Sequence, residues 1–138
     1  MHDNPAGIYR DNSDCITIAD LTEQFIKAQI SFDEVLQIVK AKQVTYAPDA
    51  TMQAMLSDSH GRVLIIEPGI GYKEEREQYS LITNYSLMKP ESTKDFIVPG
   101  DDRYERALKK LEKYSPDFSI SDAIQLLYDV RQEGAWAT

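Results

Sequence analysis

Arg62-Val63-Leu64-Ile65-Ile66-Glu67 is the stretch that decides the fold. Its unbroken apolar centre leaves no polar alternate to face water. A strand made of it is buried on both faces and needs a covering layer on each side. Ser57-Asp58-Ser59-His60-Gly61, just before it, reads as a turn in which Gly61 can take positive φ. That turn pairs the strand with Thr51-Met52-Gln53-Ala54-Met55-Leu56. Downstream, Pro68-Gly69 ends the strand and Lys73-Glu74-Glu75-Arg76-Glu77 reads as a charged, solvated bend. Tyr79-Ser80-Leu81-Ile82-Thr83 is expected as the third strand of an antiparallel meander.

Helical patterns flank this meander. From about Thr17, Ile18, Leu21, Phe25 and Ala28 fall on one stripe. Ser31-Phe32-Asp33-Glu34 is a capping box that opens a second helix, burying Val35, Ile38 and Val39 and fading near Lys42. The two make an αα-hairpin. Beyond the meander, Tyr85 to Pro99 is irregular, and its length marks a functional loop. Asp101 and Asp102 suit the positive end of a third helix, with Tyr104, Ala107, Leu108, Leu111 and Tyr114 on its buried stripe. Ser115-Pro116-Asp117 stops it. Ser119-Ile120-Ser121-Asp122 caps a last helix whose apolar face is Ala123, Ile124, Leu126, Leu127 and Val130. Residues 1–14 lack any period and are expected as a loop or disordered tail, with 15–138 as a single α+β domain. Glu133-Gly134-Ala135-Trp136-Ala137-Thr138 reads as the entry to a further strand.

Composition narrows the function. The 138 residues are 42% hydrophobic, enough for one domain with a core. A net charge of −8 argues against nucleic acid, since phosphate binding needs a basic surface. Lys109, Lys110 and Lys113 share their helix with Glu105 and Glu112 and read as a solvated face. No apolar run approaches the roughly 20 residues of a membrane span, so no membrane partner is expected. Cys15 is the sole cysteine, which excludes an internal disulfide and a thiolate metal cluster and points to a reducing, cytoplasmic setting. His2 and His60 have no partner at metal or triad spacing, so neither a metal nor another cofactor is expected.

Two residues carry candidate chemistry. Asn84 ends an apolar strand, where asparagine commonly marks a turn; its carboxamide also suits donation to an oxyanion. Arg103 stands at a helix start, against the dipole, and either pairs with an acid such as Asp101 or holds a carboxylate. Together they would place an amide donor and a fixed positive charge at the rim of one pocket. No nucleophile stands beside them. Cys15 is the only thiol; it precedes a helix, which lowers thiol pKa values, but no base is evident near it.

The segments Ser57 to Glu67, Leu81-Ile82-Thr83-Asn84-Tyr85 and Asp101-Asp102-Arg103-Tyr104-Glu105-Arg106-Ala107 resemble the N-terminal-nucleophile (Ntn) cysteine hydrolases. The similar branches are the choloylglycine hydrolase and penicillin V acylase group and the isopenicillin N acyltransferase-like group. Those families show a D-x-x-G-x-x-x-x-I-E hairpin, a T-N at a strand end and an R-Y/F helix start, in this order and spacing. Ser31-Phe32-Asp33-Glu34-Val35 also resembles their T-V-D-E-A segment. The likeness spans roughly residues 15 to 138. It implies part of an αββα sandwich, a small-molecule amide substrate, Asn84 lining the oxyanion hole and Arg103 supporting the charge network around the nucleophile. Glu67 would be a structural acid at a strand end.

The family's nucleophile is a cysteine at the mature N-terminus whose own α-amine acts as base. Met1 and His2 do not match it, and Cys15 lies far from the start. The chain is therefore expected to be a fragment of a linear amide hydrolase or acyltransferase, inactive alone. Whether it is itself an enzyme stays open. The alternative is a non-catalytic α+β interaction or dimerisation domain, a homodimer pairing through an exposed sheet edge.

Overall fold

The computed structural model describes residues 4–92, 102–114 and 117–131. They fall into two compact units, one containing 4–80 and 84–92 and the other 81–83, 102–114 and 117–131. The described residues form a mixed α and β structure with four helices, a three-stranded antiparallel sheet and a small parallel pair. Pro99, Asp101, Ser115, Pro116 and the segment from Glu133 onward, to which the sequence reading assigned breaks and a strand entry, lie outside the described residues.

The first unit opens with a single 3-10 turn, Pro5–Gly7, inside the segment expected as loop or tail. Asn4 caps the turn and ties it down: its Nδ2 donates to the Pro68 carbonyl at 3.3 Å, and its backbone N–H to the Tyr46 hydroxyl at 3.2 Å. Strand β1, Cys15–Thr17, runs directly into helix α1, Ile18–Ile26, with the Thr17 hydroxyl accepting from the Asp20 N–H. The expected apolar stripe holds at Ile18, Leu21 and Phe25, but Ala28 lies beyond the helix end. Ala28 sits at φ 54°, the left-handed residue of a Schellman turn in which Gln29 N–H reaches Gln24 O and Ala28 N–H reaches Phe25 O. Helix α2, Phe32–Ala41, begins with both halves of the Ser31–Glu34 capping box in place. The chain then returns as β2, Gln43–Thr45, parallel to β1.

Next comes the meander. Strands β3, Ala54–Ser57, and β4, Val63–Glu67, pair around the Asp58–Gly61 turn, with Gly61 at φ +77°. Leu64, Ile65 and Ile66 are all 1% exposed or less, so β4 is buried on both faces as its composition demands. Leu64 and Ile66 join Ala54, Leu56 and Val44 against Ile18, Leu21, Phe32, Val35, Leu36 and Val39, which makes the αα-hairpin the layer on that face. Each of these valine, leucine, isoleucine and phenylalanine side chains contributes about 1.5–3 kcal/mol by burial.

The third strand is β5, Gly71–Glu75, and not the expected Tyr79–Thr83. Lys73, Glu74 and Glu75, read as part of a charged bend, belong to the strand itself, and Arg76 and Glu77 follow it. A tight turn at Pro68-Gly69-Ile70, with Gly69 at φ +74°, sends the chain straight back along β4, so Glu67 pairs with Gly71 and Leu64 with Glu74. An edge strand exposed on its surface needs no apolar alternation, and charges there deter unwanted pairing. Residues 79–83 form no strand.

In the second unit, Asp102 caps helix α3, Arg103–Leu111, by accepting from the Tyr104 and Glu105 N–H groups. Ser119 and Asp122 form the capping box of α4, Ile120–Asp129. The expected buried face of α4 is only half realised. Ala123, Leu126 and Val130 are half-buried, whereas Ile124 and Leu127 stand exposed with Ile120 and Tyr128. On α3, Ala107 is the one fully buried member of the expected stripe.

Candidate functional site

Asn84 lies in a bend of the first unit, exposed, in irregular backbone rather than at a strand end. Among the described residues its carboxamide makes no hydrogen bond. It can therefore offer two N–H donors and one carbonyl acceptor to a ligand.

The backbone just after Asn84 is held firmly. Glu67 ends β4 and is 3% exposed. Its carboxylate accepts the Ser86 hydroxyl on Oε2 and the Leu87 N–H on Oε1 at 2.7 Å. Ser86, itself 1% exposed, accepts the Lys89 N–H at 2.9 Å through the same hydroxyl. Gln53 Nε2 reaches the Tyr85 carbonyl at 3.5 Å. Ser86 escaped the sequence reading. The available signal was Glu67: an acid ending a doubly buried strand must find donors, and the following loop is the nearest supply.

The geometry of the hairpin turn is held electrostatically. Asp58 accepts from the His60 and Arg62 N–H groups and from Arg62 Nε at 2.7 Å. Burial pushes its carboxyl up, but these hydrogen bonds and the Arg62 charge outweigh that and bring it down to about 2. Arg62 also reaches Asp33 Oδ1 at 2.5 Å and lies over the Phe32 ring, 4.4 Å from its centre, which fastens the hairpin to the start of α2.

Arg103 belongs to the second unit, where its Nε donates to the Val130 carbonyl at 2.8 Å. Arg106 Nη1 reaches the Asp129 carbonyl at 3.3 Å, and Lys110 pairs with the Asp129 carboxylate. Hydrogen bonds from Lys110 and then Gln125 hold that carboxyl below its usual range. Three cations on one face of α3 thus meet the negative end of α4, a favourable arrangement for the helix dipole. Asn84 and Arg103 are placed in different units.

Cys15 is half-buried and lines a polar cleft of about 410 Å³ with Tyr9, Arg10, Asn12, Asp20 and Gln24 among others. Among the described residues no histidine lines that cleft. His60 sits in the hairpin turn, with Nδ1 3.6 Å from Asp58 Oδ2. Among the described residues no group of three or more histidine, cysteine or acidic side chains is gathered to hold a metal ion, and no helix is long and apolar enough to cross a membrane. No family model, no curated protein and no solved structure matches the chain.

Proposed function

We propose that this chain is the central part of a cysteine Ntn hydrolase or acyltransferase acting on linear amides, folded as a portion of an αββα sandwich. In that reaction a thiolate attacks the amide carbon, the amine leaves, and water or a second amine takes the acyl group. Asn84 donates to the oxyanion of the tetrahedral intermediate, and Arg103 stabilises charge around the nucleophile. Cys15 is not assigned the attacking role. It sits within a strand, its own nitrogen bound in a peptide and donating to the Asn12 carbonyl, so it has no α-amine to act as base. The stretch supplies charge stabilisation, and it is inactive without a thiolate from elsewhere.

One observation supports this reading above others: an exposed carboxamide with no bond to another described residue, on a loop whose backbone is fixed to the sheet by a buried acid. A donor on a rigid support is what preorganised oxyanion stabilisation requires. The test is hydrolysis of N-acyl amides by the native gene product in which this stretch is joined to the attacking cysteine. Asn84→Ala should lower kcat by about 10²–10³-fold with KM little changed. An unchanged kcat removes Asn84 from the mechanism.

A second reading, a homodimerisation domain, is favoured by α4. Ile120 and Leu127 are 82% and 69% exposed on a stripe continued by Ile124 and Tyr128. Pairing through β5 is opposed by its exposed Lys73 and Glu74, so a second copy would cover the α4 face instead. Sedimentation velocity decides: this reading expects a dimer that Leu127→Asp dissolves, and a monomeric parent removes it.

A further inference from the structure

We infer that Glu67 is the positioning residue of the Asn84 loop: its buried carboxylate hangs that loop on the end of β4. The inference rests on the amide-hydrolase reading for its catalytic meaning, though not for its structural content. Ile65 and Glu67 share the face of β4 opposite Leu64 and Ile66, which belong to the helix-covered core. On that face Glu67 is 3% exposed, a carboxylate almost wholly removed from water.

Such a group is tolerated only when donors replace its hydration. Here the replacement donors come from one place, the four residues that run from Ser86 to Lys89. The Leu87 N–H occupies Oε1, the Ser86 hydroxyl occupies Oε2, and that hydroxyl accepts the Lys89 N–H in turn. The acid, hydroxyl and two amides therefore form one connected network, and its first loop member stands two residues after Asn84. Gln53 holds the intervening Tyr85 carbonyl from the β3 side. The backbone beside Asn84 is fixed while its carboxamide faces solvent, which fits a group that must meet a ligand at a set position.

Ser86 is sequestered and already bonded, so the pair of a serine hydroxyl and a carboxylate is not a nucleophile and its base. Glu67 does not touch the solvent side of the loop; it acts through the backbone.

Residue-resolved hydrogen exchange on Glu67→Ala and Glu67→Gln tests the inference directly. Loss of the carboxylate should lower protection of the Leu87 and Lys89 amides at least tenfold while Leu64 and Ile66 in β4 keep theirs. Glu67→Gln preserves the shape and one acceptor, so it should fold even if the alanine variant does not, and should lose protection selectively at Leu87 and Lys89 by a smaller factor. Unchanged protection at Leu87 and Lys89 in the glutamine variant, or an equal loss throughout β4, overturns the inference. Turnover of N-acyl amides by the native gene product tests the catalytic reading separately. There Glu67→Ala should lower kcat with little change in KM, and Glu67→Gln should recover part of it. Selective loss of protection with kcat unaffected in both variants leaves the loop anchor standing and removes Asn84 from the chemistry.

Discussion

Ala28 carries a left-handed backbone, φ 54°, at the point where α1 ends. An L-residue there meets a Cβ clash of about 1–2 kcal/mol that glycine avoids, partly offset by the larger entropy glycine loses on folding. Ala28→Gly should therefore raise stability by roughly 0.5–1 kcal/mol, read as a higher urea midpoint with unchanged slope. Asp58 makes a prediction in pH. Its folded-state carboxyl titrates at about 2 against an ordinary 3.8, so its stabilising contribution is complete above the ordinary value and is lost as pH falls toward 2. Asp58→Asn should flatten that part of the acid-unfolding curve and leave the slope above pH 5 alone, as followed by denaturant midpoints across pH. A parent whose stability does not fall between those values contradicts the Asp58–Arg62 assignment.

Elements were legible where their causes are local. The αα-hairpin follows from apolar spacing and a capping box, and the β3–β4 hairpin from Asp58 and Gly61, all within a few residues of one another. Strand β5 was not legible, because its partner β4 supplies the ladder and its mostly exposed side chains carry no apolar alternation. The β1–β2 pair was hidden for a related reason: three residues each, joined through two helices, leave no period to read. Of the candidate site, Asn84 could be named from its type and neighbours, but its anchoring through Ser86 depends on a contact nineteen residues from Glu67. The turn between β4 and β5 offers a test at this scale. A Cβ on Gly69 would lie 2.2 Å from Gly7 N and 2.3 Å from Ala6 C, backbone atoms that cannot swing aside, and φ is already positive. Gly69→Ala should destabilise by about 2–3 kcal/mol in thermal unfolding. A loss below about 0.5 kcal/mol would show that the 3-10 turn does not pack there.

At the scale of the whole molecule, Asn84 and Arg103 belong to separate units, and the amide-hydrolase proposal gives both a part in one reaction. Asn84 is presented by a loop tied to the sheet, and Arg103 by a helix whose cations already hold the end of its neighbour. Their independent structural roles predict that each single variant folds, and their proposed joint role predicts that they are not energetically independent. The most direct measurement is a double-mutant cycle on kcat for N-acyl amide hydrolysis by the native gene product, using Asn84→Ala, Arg103→Ala and both. Groups that serve the same chemical step do not act independently, so the double variant should lose far less than the product of the two single losses. Losses that multiply as independent factors, or variants that hydrolyse the amide as fast as the parent, would contradict it.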